Sequence, residues 1–147
     1  SDSDPVNLYA TAIRGLNSFP LAYLLLTEPR AGGLSCPAKN DPAFSAPLSS
    51  ARFRSVYHGT LIAAGGFTPY SAARAIKDGT YDLIAFGRWF LSNPDLPERI
   101  RLNSALNVYD RKQFYSKGES GYTDYPSTDG DIGLVGKYPI IEQEKLG

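Results

Sequence analysis

The sequence of 147 residues has no methionine, a single cysteine (Cys36) and a single histidine (His58). One cysteine excludes an internal disulfide framework and a cysteine cluster for a metal. Cys36 reads as a free thiol rather than a nucleophile, because no neighbouring residue lowers its pKa. One histidine leaves little material for a Ser-His-Asp triad or a multi-histidine metal site, so no metal is expected. Basic and acidic residues number 15 each and cancel. No field of one sign therefore points to nucleic acid or to an anionic membrane surface. No apolar run approaches the length of a membrane span, and the longest, Leu21-Ala22-Tyr23-Leu24-Leu25-Leu26, suits a strand. The start, Ser1-Asp2-Ser3-Asp4, has neither the basic nor the apolar region of a signal peptide. A cytoplasmic location is expected, with an organellar one left open. Without an initiator methionine the chain reads as processed or as a segment of a longer one.

What is present is an alternation of short elements. Hydrophobic residues make up 42% of the chain, enough for one ordinary domain with a buried core. Asp4-Pro5 predicts a helix start, with Asp4 as cap and Pro5 at the first helical position. Val6, Tyr9, Ile13 and Leu16 then share one helical face, and Asn17-Ser18-Phe19-Pro20 ends it. Leu21 to Thr27 predicts a strand buried on both faces, stopped by Glu28-Pro29-Arg30. Residues 31–47, with Gly32, Gly33, Pro37, Pro42 and Pro47, predict a long loop of the kind that forms lids or binding loops. A helix is expected over 48–57, with Leu48, Phe53 and Val56 inward, and then a strand over 59–66. Thr68-Pro69 repeats the cap-and-proline start; Tyr70, Ala73 and Ile76 are expected inward, and Gly79 as the C-cap. A third strand covers 81–86. Short helices come next, from Trp89 and from Asn93-Pro94, the latter packing through Leu96 and Ile100. Beyond Asn103, tyrosines and glycines predict an irregular tail. Alternating helices and strands imply an α/β fold with parallel strands. Three strands are too few to close a β/α barrel, which typically takes about 250 residues.

Two turns carry the chemistry. Thr60-Leu61-Ile62-Ala63-Ala64 runs into Gly65-Gly66 and then Phe67-Thr68-Pro69. Glycines there let a ligand approach the backbone, and the helix start just beyond them favours an anion. Turn geometry alone would also call for glycine. Tyr81-Asp82-Leu83-Ile84-Ala85-Phe86 runs into Gly87-Arg88, and arginine offers a planar, permanently charged set of donors suited to phosphate oxygens. A salt bridge to a carboxylate is the alternative, although the sequence neighbours supply none. Two such turns side by side at one end of a parallel sheet resemble the phosphate site after the last strands of a β/α barrel.

The runs Ala63-Ala64-Gly65-Gly66-Phe67, Phe86-Gly87-Arg88-Trp89-Phe90-Leu91-Ser92-Asn93-Pro94-Asp95-Leu96 and Gly121-Tyr122-Thr123-Asp124-Tyr125-Pro126 closely resemble the old yellow enzyme family. Its 12-oxophytodienoate reductase branch looks nearest. Asp2-Ser3-Asp4-Pro5, Leu21-Ala22-Tyr23-Leu24, Glu28-Pro29-Arg30, Leu102-Asn103, Tyr109-Asp110-Arg111 and Phe114-Tyr115 add to the likeness, which runs in order from Asp4 to Pro126. The resemblance implies the C-terminal part of a TIM (β/α)8 barrel. Its three strands would be the sixth to eighth, residues 1–126 would belong to the barrel, and 127–147 would form a tail. It implies FMN as cofactor, NAD(P)H as reductant and an activated alkene, such as an α,β-unsaturated carbonyl, as substrate. Gly65, Gly66 and Phe67 would lie against the FMN phosphate and the nearby flavin edge, with Gly87 and Arg88 closing the phosphate site. Tyr115 matches a tyrosine that approaches substrate and flavin, aromatic packing being its alternative. The loop over 31–47 would border the entrance.

The family's substrate-binding pair, its proton-donating tyrosine and the arginine near flavin N1 belong to strands upstream of Asp4. No catalytic residue is therefore assigned in this chain, and His58, at the N-terminal end of a strand, does not replace them. Three readings are open: a portion of an FMN-dependent ene-reductase that works with an N-terminal barrel portion; a truncated, non-catalytic paralogue or fragment with a partial phosphate site; and an unrelated phosphate-binding module, which the long ordered likeness disfavours. Open strand edges predict pairing with the missing portion or with a second copy.

Overall fold

The computed structural model describes residues 3–28, 50–128 and 140–146. The predicted loop over 31–47, with Cys36, lies outside the described residues, as do the first two residues of the helix expected over 48–57. The chain divides into two compact units, one of residues 1–67 and 72–85, the other of 68–71 and 86–147.

The first unit holds helix α1 (Pro5–Leu16) and three parallel strands, β1 (Leu24–Thr27), β2 (Leu61–Ala64) and β3 (Leu83–Ala85), in the order β1-β2-β3. The Asp4 carboxylate accepts the Asn7 N–H at 3.1 Å, as its capping position predicts. Asn17 ends the helix and ties its end to the chain ahead of β2: its amide donates to Val56 O at 2.8 Å, and its Oδ1 accepts the His58 N–H at 3.0 Å. The expected inward face of α1 is mostly not inward. Ile13 is buried and Leu16 half-buried, while Val6 and Tyr9 are exposed, Tyr9 meeting the ring of Phe53.

Register aligns Leu25, Ile62 and Leu83 across the sheet, and two residues on Thr27, Ala64 and Ala85. Partners in a parallel sheet point to one face. The opposite face carries Leu61 and Ala63, both wholly buried. The expectation that β1 is buried on both faces is thus corrected: Leu25 is 43% exposed and Leu24 and Leu26 only half-buried, and in β3 Leu83 is 53% exposed. A strand of this type is buried twice only when a second layer covers each face.

The helix expected over 48–57 is also corrected. Ser50–Phe53 forms one 3-10 turn, and Arg54 pulls the chain round by donating to Tyr57 O at 2.7 Å and Gly59 O at 2.9 Å. Buried Glu28, at the end of β1, accepts the Ser50 N–H at 3.1 Å and the Tyr81 hydroxyl at 2.9 Å, and the Ser50 hydroxyl also donates to it.

Helix α2 (Pro69–Lys77) comes after β2. It buries Ala72 and Ala75, not the expected Tyr70, Ala73 and Ile76, of which Tyr70 is 61% exposed. Gly79 closes it at φ +70°, with the Thr80 N–H returning to Ala75 O, as predicted.

In the second unit, α3 (Arg88–Ser92) and α4 (Leu96–Leu102) precede β4 (Leu106–Asn107), which pairs antiparallel with β5 (Ile140–Ile141). The tail is therefore less irregular than expected. Ser92, Asn93, Arg99, Asn107 and Gln143 are all buried and polar. Asn93 Oδ1 accepts the Asn107 N–H at 2.8 Å, while the Asn107 amide donates to Ser92 O and Pro126 O.

Candidate functional site

The C-terminal ends of β2 and β3 are adjacent, since Ala64 and Ala85 are register partners. Gly65 succeeds the first and Phe86-Gly87-Arg88 the second, so both predicted turns leave the sheet from neighbouring strand ends. Gly65 and Gly66 adopt φ +97° and +70°. Residues with side chains rarely take up that conformation, and successive amides in such turns form anion-binding concavities. Thr68 and Ser71 cap α2 reciprocally: the Ser71 N–H donates to Thr68 Oγ1 at 3.2 Å and the Thr68 N–H to Ser71 Oγ at 2.9 Å. These two amides are therefore engaged within the helix itself.

The Phe67 ring is buried and meets Tyr81 edge-on, with centroids 6.0 Å apart. The Phe67 ring is thereby packed within the first unit. In the second unit, the Arg88 guanidinium lies over the Tyr109 ring at 5.6 Å. Tyr109 in turn packs against Trp89 at 5.0 Å and Phe114 at 5.7 Å. Tyr115 is 84% exposed, and its backbone has φ +61°.

A polar concavity of 480 Å³, lined by Arg54, His58, Gly59, Thr60, Gly79 and Asp82, opens at the other end of the strands. Its arginine is engaged by Asp82 at 2.8 Å. The Leu61 N–H, donating at 2.7 Å, and then the same arginine hold the Asp82 carboxyl below its ordinary 3.8 against a smaller opposing effect of burial. These contacts stitch β2 to β3 and leave the glycine turns as the better candidate. No group of three or more potential metal ligands occurs among the described residues, and no described helix is long and apolar enough to cross a membrane.

Residues 10–107 match the family model described as NADH:flavin oxidoreductase / NADH oxidase. The chain belongs to this family. It is 41% identical over 133 residues to 12-oxophytodienoate reductase 7 of Oryza sativa subsp. japonica, covering 85% of this chain and 34% of that protein. Identity to 12-oxophytodienoate reductase 2 of Arabidopsis thaliana is 40% over 129 residues, covering 87% and 33%. Among solved structures, morphinone reductase superposes with a TM-score of 0.71 at 35% identity, covering 90% of this chain and 34% of that one. The old yellow enzyme from Trypanosoma cruzi gives 0.72 at 28% identity, covering 86% and 31%. This member of the family thus spans about a third of the length of the relatives it matches. Its three parallel strands and their helices are part of a (β/α)8 barrel.

Two functional-looking clusters have no signal in the sequence: the buried polar set around Asn107 and the clasp of Ser50 and Tyr81 on Glu28. Neither has a local signature, because each joins residues at least 14 positions apart.

Proposed function

We propose that this chain supplies the FMN-phosphate end of an NAD(P)H oxidoreductase of the old yellow enzyme type, acting on activated alkenes such as α,β-unsaturated carbonyls. The observation that carries this reading is the pairing of Ala64 with Ala85, which starts the Gly65-Gly66 and Gly87-Arg88 turns from adjacent strand ends. Backbone amides of Gly65, Gly66 and Phe67 would hold phosphate oxygens, and Arg88 would supply charge. When bound, FMN supplies hydride chemistry. Tyr115 would present its phenol to the substrate. Support also comes from a similar solved structure, that of morphinone reductase in complex with tetrahydroNAD. The substrate-binding pair and the proton donor are expected from the rest of the family barrel.

Fluorescence titration of the purified chain tests the phosphate assignment. FMN should bind weakly, because an incomplete set of contacts positions a ligand poorly. Riboflavin, without the phosphate, should bind less. Arg88→Ala should weaken FMN binding by about tenfold, the worth of one charge-assisted contact. Equal affinity for FMN and riboflavin would overturn the assignment.

A further inference from the structure

The motif Gly121-Tyr122-Thr123-Asp124-Tyr125 has no part in the phosphate site, yet it reaches back to the segment that carries Tyr115. Three observations within the second unit show how. The Tyr115 N–H donates to Tyr122 Oη at 2.7 Å. The Asp110 N–H donates to Tyr125 Oη at 3.0 Å. A Cβ on Gly121, at φ +81°, would lie 2.6 Å from Gln113 Cβ, so only glycine permits so close an approach. The amides of Gln113, Phe114 and Ser116 are all engaged by backbone carbonyls of the same turn, to Asp110, Arg111 and Gln113 respectively. Tyr115 breaks this pattern. Its amide turns away to a phenol, and its φ of +61° is one that a bulky residue adopts only when its surroundings impose it.

We propose that Tyr122 is a positioning residue: its hydroxyl holds Tyr115 in the left-handed conformation that presents the Tyr115 phenol outward. Tyr125 anchors the other end of the same segment at Asp110. The proposal rests on the substrate-facing reading of Tyr115 for its purpose, but not for its geometry. It also gives the two tyrosines of the motif a common task, since each accepts a backbone N–H of the segment that carries Tyr115.

Nuclear magnetic resonance of the isotope-labelled chain tests it. Tyr122→Phe removes only the acceptor oxygen. The Tyr115 amide should then exchange with solvent up to about tenfold faster, the effect of losing one hydrogen bond, and its one-bond Cα–Hα coupling should shift to that of a negative φ. Tyr125→Phe should speed exchange at Asp110 and leave the Tyr115 coupling in place. Unchanged amide shifts at Leu106 and Asn107 report that the unit remains folded. An unaltered Tyr115 exchange rate and coupling in folded Tyr122→Phe would overturn the proposal. So would a Tyr115 amide that exchanges at the open-chain rate in the unmutated protein, a measurement that needs no variant. Titrating cyclohexenone into the FMN-supplemented chain reads the substrate role separately: movement of the Tyr115 ring signals supports it, and their constancy removes that purpose while the brace itself stands.

Discussion

Arg99 is only 5% exposed, and each side of its guanidinium has a partner. Nε donates to Asp95 at 2.7 Å, and the terminal nitrogens donate to Ala105 O at 2.8 Å and Pro126 O at 2.7 Å. The Thr128 N–H and hydroxyl donate to the other Asp95 oxygen. One ion pair therefore ties α4, the approach to β4 and the segment after Tyr125 together. Arg99→Leu would leave two carbonyls and a carboxylate short of donors, and should destabilise the chain by roughly 3–5 kcal/mol in urea melts. Burial pushes the Asp95 carboxyl up, but the Thr128 hydrogen bonds and Arg99 together outweigh it, leaving the pKa below its ordinary 3.8. Because the folded value is the lower one, its stabilisation is complete above the unfolded pKa and is lost as pH falls through the folded value. Unfolding midpoints measured from neutral pH down to about pH 2 should therefore drop less steeply in Asp95→Asn than in the unmutated chain. Equal slopes would show that the pair does not govern acid stability.

The elements are set by their ends more than by their faces. Helix α2 begins on the reciprocal Thr68–Ser71 cap. Thr68→Ala should cost about 1 kcal/mol, and Thr68→Asp should restore most of it, as chemical denaturation would show. That cap, the Asp4 cap of α1 and the Gly79 stop were legible in the sequence, because each depends on residues within one turn. The glycine pair after β2 was legible for the same reason, and both its members take the positive φ that such a turn demands. Burial was not legible. An amphipathic pattern shows which residues could face a core, but the neighbours decide which do, and α2 buries its alanines and leaves Tyr70 outside. The β4–β5 ribbon joins residues more than 30 positions apart in the register Leu106 with Ile141, through two-residue strands too short to carry any alternation. Likewise, the Tyr122 and Tyr125 hydroxyls find their partners 7 and 15 residues back, where no spacing rule applies.

Across the whole molecule, three barrel strands leave an unsatisfied sheet face. Leu25, Ile62 and Leu83 form a row over all three strands of the first unit, with the outer two about half exposed. In a closed barrel such residues fill the interior. Here the row and the outer edges of β1 and β3 invite pairing. The 147-residue chain on its own should therefore associate at micromolar concentration. Leu25→Lys combined with Leu83→Lys places two charges on an already exposed face, where the folding cost is small and charge opposes association. Sedimentation velocity should show the unmutated chain as a concentration-dependent mixture and the double variant shifted toward monomer, with matching circular dichroism spectra. A monodisperse unmutated monomer at high concentration would mean that the face is covered within the chain itself. Association that persists unchanged in the double variant would place it at the strand edges, where backbone pairing rather than apolar burial drives it.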